Sequence, residues 1–349
     1  MVEATQATDV AGPVRVFTQL AFTSLPSSGV AGSEVSGTAA NIRVLHAYGQ
    51  IGGWVVGKAD TFFSDPFAFP NTVDAAGPNA LVYLQHPLIG YVFNDLYRDG
   101  GRVLSAAASI EHPENSVTPP DPLNATKFND RSRVPDVAAQ AVFTDSSWGY
   151  LQVAGIVRDI GIENTAYTAA EGPAAGPHPT GHRDVCGWGV QCTGAVTPFV
   201  GHDWLADDLV RVGGMYGQGI ANYNQDLRSI GGLDAVFDPA GRLRTLPVRS
   251  CFTSYTHFWG PGLRSTVVAS QVDLDAGESL GLPGSTYRHG RYVSANLVYE
   301  RDVSVKVGGA TKTAQVFSGM EVLYGRKETQ DRTTGSAHRV QFTLGVHYN

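Results

Sequence analysis

No stretch of this chain approaches the roughly 20 consecutive apolar residues that a membrane-crossing helix needs. Charge is scarce too. Asp, Glu, Lys and Arg supply 16% of the 349 residues, where about 25% is usual for a soluble domain. The formal net charge is −7, so recognition of nucleic acid through a strongly basic surface is not expected. Lysine is nearly missing: only five of the 25 basic residues are lysine and the rest are arginine. Cysteine is limited to Cys186, Cys192 and Cys251. These are too few for a disulfide scaffold, and without a CxxC pair they match no zinc pattern. Enzyme signatures are missing as well. There is no GxSxG elbow, no phosphate-binding GxxxxGK[ST] loop and no HExxH pair. No catalytic residue, metal site or cofactor is therefore expected. The opening Met1-Val2-Glu3-Ala4-Thr5 has neither the basic start nor the apolar core of a secretory signal.

Glycine is abundant, with 41 residues, and 42% of the chain is hydrophobic. Glycine costs about 1 kcal/mol per helix position relative to alanine, which argues against a helical bundle. The dominant hydrophobic period is two. Val340, Phe342, Leu344, Val346 and Tyr348 alternate with Arg339, Gln341, Thr343, Gly345 and His347. Val293, Ala295, Leu297 and Tyr299 oppose Ser294, Asn296 and Glu300, and Val14 to Phe22 alternates in the same way. Successive strand side chains point to opposite faces, so each segment has one apolar face and one polar or small face.

Further strands are predicted near 42–49, 52–58, 80–93, 102–111, 136–144, 148–162, 187–199, 209–219, 229–237, 243–259, 263–274 and 315–326. Their length of about ten residues suits a tilted membrane-spanning strand. Long Gly/Pro/Asp-rich loops are expected at His112–Arg133 and Thr168–Asp184, and a short turn at Asp238–Gly241. Aromatic residues such as Trp148, Trp204, Tyr216, Trp259 and Tyr324 fall near strand ends, where the girdles of an outer-membrane barrel would lie. Pattern alone leaves two architectures open. One is an antiparallel transmembrane barrel; the other is a soluble β-sandwich, propeller or solenoid.

The run from Gly52 to Ala80, GGWVVGKADTFFSDPFAFPNTVDAAGPNA, resembles the DcaP-like family of Gram-negative outer-membrane porins. The matching positions are Gly57-Lys58, Ser64, Asp65, Pro70, Asp74 and Gly77-Pro78. Arg43 to Tyr48 is similar to that family's RxRxAY strand, Tyr255 to Trp259 with Leu263-Arg264-Ser265 to its aromatic hairpin, and Glu321 to Glu328 to its penultimate strand. The resemblance implies an all-β antiparallel barrel of about 14–16 strands with an inward-folded constriction loop. It also implies a homotrimer in the cell outer membrane that passes small anionic solutes such as dicarboxylates. The implied partners are outer-membrane lipid, lipopolysaccharide and those solutes. On this reading residues 1–13 are a stub lacking the family's signal peptide and coiled coil, and residues 14–349 are the barrel with one early strand missing. The chain ends Tyr348-Asn349 where an aromatic residue is usual, and Lys58 stands where glutamine is common.

Two sets of residues carry the functional expectation. The segment from Asp60 to Pro78 combines Asp60, Ser64, Asp65 and Asp74 with four phenylalanines and stiffening prolines. With Lys58 before it, it reads as a pore constriction; an ordinary surface loop with its own small core is the other reading. Arg43, Arg102, Arg264, Arg291 and Arg339 lie within apolar strands. A charge facing lipid at mid-depth costs roughly 2–4 kcal/mol, so these arginines are expected in the lumen or at its rim. There they would form a basic ladder, or they would pair across strands as struts. Cys186 and Cys192 could pair only if His182–Cys192 were a folded loop. His178, His182 and His202, with Asp184 and Asp203, read as scattered loop residues. Two further functions stay open on the sequence: a structural or adhesive barrel, and a soluble extracellular β enzyme or binding module.

Overall fold

The computed structural model describes residues 2–6, 14–24, 40–117, 128–164, 182–238, 241–274, 280, 282–307 and 310–348. His178, Asn349, most of the Thr168–Asp184 loop and part of His112–Arg133 lie outside the described residues. The wall opens with β1 (Val2–Gln6), β2 (Val14–Ser24), β3 (Ala40–Ile51), β4 (Trp54–Asp60), β5 (Gln85–Asp99) and β6 (Arg102–Glu111). It continues with β7 (Phe128–Asp130), β8 (Asp136–Asp145), β9 (Gly149–Asn164), β10 (His182–Val196) and β11 (Leu209–Gln218). Helix α1 (Gln225–Ser229) and the hairpin β12 (Ala235–Phe237) and β13 (Leu243–Thr245) stand apart from the wall. Strands β14 (Pro247–Gly260), β15 (Leu263–Leu274), β16 (Tyr287–Val307), β17 (Ala310–Thr329) and β18 (Thr334–Tyr348) complete it.

These strands form one 16-stranded antiparallel sheet whose neighbours follow chain order, with β7 paired off the path onto β9. Residues 2–6, read from sequence as part of a stub, form β1 and pair with β2. Tight turns such as Gly52-Gly53, Gly100-Gly101 and Pro261-Gly262 lie at one end, and most long connections lie at the other. Outer-membrane barrels place short turns on the periplasmic side and long loops outside.

The wall's burial is the reverse of a soluble sheet's. Phe342 and Leu344 are 76% and 79% exposed, and Val56, Ile89, Val153, Val267 and Val322 are exposed on the same face. Glu111, Asp136, Arg158, Thr266, Asn296 and Glu321 are buried on the other. Water would drive the apolar face inward, so this polarity suits a wall with lipid outside, and it excludes the sandwich reading. Exposed aromatic residues flank the apolar band. Trp54 packs edge-on against Tyr91 near the short-turn end, and Trp188 against Tyr216 near the other.

Several sequence expectations shift. The strand expected at 229–237 is α1, a turn and then β12. Asn224 caps the helix by accepting a hydrogen bond from the Leu227 amide, and Gly231, with φ +83°, follows its end. The strand expected at 243–259 breaks at Leu246, because Pro247 has no N–H to give the ladder and so begins a new strand. Residues 80–84 belong to the segment before β5. His182–Val196 is a continuous strand, so Cys186 and Cys192 are far apart along it and both are free.

Candidate functional site

Residues 61–84 leave β4 at the long-loop end and turn inside the wall. Thr61 Oγ1 and the Phe62 amide donate to Glu111 of β6, at 2.7 and 2.9 Å. Ser109 and His86 complete the environment of that carboxylate, which is 1% exposed. Further along, the Val73 and Asp74 amides donate to Glu321 of β17, both at 3.0 Å. Asn296 and Gln341 donate to the same carboxylate from β16 and β18. Between these pins the segment touches β9 and β10 through Asp65, and Ser250 of β14 donates to the Ala80 carbonyl. One segment thus contacts strands from β6 to β18. A sheet can offer such contacts only if it curls around the segment.

The expected constriction residues divide by what they touch. Asp60 ends β4, and its carboxylate lies 3.2 Å from His46 Nε2 on the inward face. Asp74 lies 2.7 Å from Arg339 Nη2 and beneath Tyr292. Ser64 and Asp65 are buried and do not line open space. Asp65 caps the 3-10 turn Pro66–Ala68 and accepts hydrogen bonds from Tyr150 and Thr193, at 3.0 and 2.6 Å. Gln152 donates to the Ser64 carbonyl. Both residues fasten the segment to the wall. Lys58 departs from expectation. Its ladder partners Ala47 and Pro87 are exposed and Val56 shares its parity, so Lys58 lies on the outward face.

The arginines divide as well. Arg264 faces inward, 2.7 Å from Glu300, and donates to the Asn71 carbonyl of the inner segment. Arg339 faces inward to Asp74. Arg43 faces inward and lines a cavity of about 300 Å³ with Tyr83, Gln85, Gln225, Arg228 and Ser229. Arg102 and Arg291 are corrections. Arg102 shares parity with exposed Ile110 and pairs with Asp145 at the short-turn rim. Arg291 shares parity with exposed Val293 and Leu297 and lies outside the lumen.

Two lumen arginines were not singled out by sequence reasoning. Arg211 of β11 faces inward with the small or apolar residues Gly213, Met215 and Gly217, and its Nε donates to the Phe67 carbonyl at 3.3 Å. Its Nη1 is buried without a hydrogen-bond partner among the described residues. Alternation with exposed Val212 was the available signal. Arg228 lies on α1 in a second inward segment, residues 219–238 and 241–246, which no sequence pattern announced. It pairs with Glu114 at 2.6 Å.

The second segment is held by a buried ionic knot in an apolar bed. Arg158 of β9 is fully buried, with Asp136 Oδ2 at 2.8 Å and Asp234 Oδ1 at 3.3 Å. It also donates to the Gly219 carbonyl and stacks on Tyr223, 4.8 Å from the ring centre. Burial pushes the Asp234 carboxyl above its ordinary value, and the Arg158 guanidinium opposes that push. Leu227, Val236, Leu246, Val248 and Phe252 form the surrounding core with Phe63, Leu81 and Leu84 of the first segment. The two segments also share backbone bonds, Tyr83 N to Tyr223 O and Gln225 N to Leu81 O. Together they pack against one another inside the wall.

Chemically, the inward face carries the guanidiniums of Arg43, Arg211, Arg264 and Arg339 beside the two inner segments. Most lumen carboxylates are already paired or buried. A family model described as a porin subfamily matches residues 1–338. Among solved structures, the outer membrane channel DcaP of Acinetobacter baumannii superposes with a TM-score of 0.70 at 16% identity, covering 97% of this chain and 82% of that one. OmpT, an outer membrane protein of Vibrio cholerae folded in vitro, is similar with a TM-score of 0.45 at 13% identity, covering 99% and 87%. At such identity the likeness to DcaP is one of fold. No curated protein sequence matches the chain.

Proposed function

The chain belongs to the porin subfamily; it is an outer-membrane porin of Gram-negative type, and we propose that its lumen favours small anionic solutes, dicarboxylates among them. The observation that carries this is the pair of inward guanidiniums on Arg43 and Arg211, neither in an ion pair among the described residues. Asp60, Asp74 and Glu300, by contrast, each face a basic group. A positive lining raises the local concentration of anions even in a protein of negative net charge.

Paired placement supports solutes with two carboxylates. Arg43 and Arg228 border one cavity, and Arg211 and Arg264 both lean on carbonyls of the inner segment. Guanidinium forks hold carboxylates bidentately. Water on both sides keeps each contact weak enough for release. The sequence resemblance further supports a homotrimer embedded among outer-membrane lipid and lipopolysaccharide. Its mass in mild detergent tests that state.

Single-channel recording in planar bilayers tests the solute class. A four-carbon dicarboxylate added to one side should interrupt the current more often than a monocarboxylate or a diamine of similar length. Equal or stronger interruption by the diamine would refute the anionic lining.

A further inference from the structure

Arg291 and Arg326 are register partners on β16 and β17, and both project from the outward face. On β16 the outward side chains run Leu297, Ala295, Val293 and then Arg291. On β17 they run Met320, Val322, Tyr324 and then Arg326. In both strands the arginine comes directly after the apolar run, towards the end that carries the long loops. That end is the outer leaflet's side in a porin. Like charges directly opposite on neighbouring strands destabilise a sheet unless something neutralises them.

The described neighbours do not supply that neutralisation. Arg291 Nε donates to His289 Nε2 at 3.0 Å, which leaves that ring nitrogen an acceptor and the guanidinium uncompensated. The other ring nitrogen meets Asp273, which also takes Arg249 at 3.2 Å. Arg326 has no ion pair among the described residues. A protein that kept two arginines face to face just above its apolar band, with tyrosine below, presents a concentrated anion receptor at headgroup depth.

We propose that Arg291 and Arg326 clamp a phosphate of a phosphorylated outer-leaflet lipid, of the lipid A type. Two adjacent guanidinium forks match the oxygens of one phosphate, and the exposed apolar run below offers a surface for the acyl chains. The inference rests on the outer-membrane location and on no property of the lumen, so it can fail while the solute reading stands.

Native mass spectrometry of the detergent-solubilised protein tests it, with three probes: bis-phosphorylated lipid A, the same lipid without phosphates, and inorganic phosphate. The wild type should retain phosphorylated lipid A at least ten-fold more tightly than the dephosphorylated form. Inorganic phosphate in the millimolar range should not displace it. R291Q/R326Q should lose most of that ten-fold preference while keeping heat-modifiable migration, and R98Q at the opposite rim should keep it. Equal retention of both lipids by the wild type would overturn the proposal without recourse to any variant. So would unchanged preference in R291Q/R326Q. Displacement by inorganic phosphate would mark a site for the free anion and overturn the lipid assignment.

Discussion

Residues 61–84 and the second segment, 219–238 and 241–246, both leave the wall at the long-loop end and turn back inside it, yet different chemistry holds them. The first is stapled at intervals: Glu111 takes its start, Asp65 reaches β9 and β10, and Glu321 takes its middle. The second is embedded around a buried ion cluster, with Arg158 tying Asp234 to the wall, and it shares one apolar core with Phe63, Leu81 and Leu84 of the first. Staples leave gaps between them, and polar side chains such as Arg264 and Arg339 reach the first segment across those gaps.

The largest expected effect strikes the embedded segment. Arg158→Met leaves Asp136 and Asp234 buried without their cation, which costs about 3–5 kcal/mol. Urea unfolding in detergent reads the loss, and amide exchange should locate it first in residues 219–246. If exchange rises equally in 61–84, the two segments are one unit and the contrast fails.

Next come the staples. Glu111→Gln and Glu321→Gln each remove a charged acceptor from a buried site, worth about 1–3 kcal/mol. Glu321→Gln should be the milder in stability, since Gln341 can turn its amide to accept. It should be the stronger in current, because it frees Val73 and Asp74 beside Arg339. Single-channel noise that rises more in Glu111→Gln would reverse that ranking.

A smaller, pH-dependent effect belongs to the embedded segment's hairpin. The Arg242 amide, then the guanidiniums of Arg244 and Arg242, push the Asp238 carboxyl down to about 2 from an ordinary 3.8, against some opposition from burial. A depressed folded value stabilises above the ordinary value and is lost as pH falls through the folded one. Protection of the Leu243–Thr245 amides should therefore hold above pH about 4 and decline towards pH about 2. Asp238→Asn should flatten that decline.

The contrast also explains what was legible in the sequence. Strands β6, β8, β15 and β18 were readable because lipid outside and water inside enforce alternation along them. The first segment was readable because Phe62, Phe63, Phe67 and Phe69 among prolines form a local signature. The second was not, since Ala221, Leu227, Val236 and Leu246 look like any strand's residues until β11 and β14 close over them. Arg291 and Arg102 were misplaced by treating arginines in strands as lumen residues. Counting parity from Val293 and Ile110 would have put both outside. Ser64 and Asp65 look solute-facing in sequence. Tyr150, Thr193 and Gln152, which bury them, lie some 85–130 positions away.

The central claim is the positive lining. Reversal potentials in planar bilayers under a potassium chloride gradient measure it most directly, for the wild type and for R43Q/R211Q. The wild type should favour chloride, and the double variant should move the permeability ratio towards potassium. Near 1 M salt, where the Debye length is about 3 Å, the difference should shrink. A wild type that favours potassium, or a double variant with the parental ratio at low salt, would contradict the account.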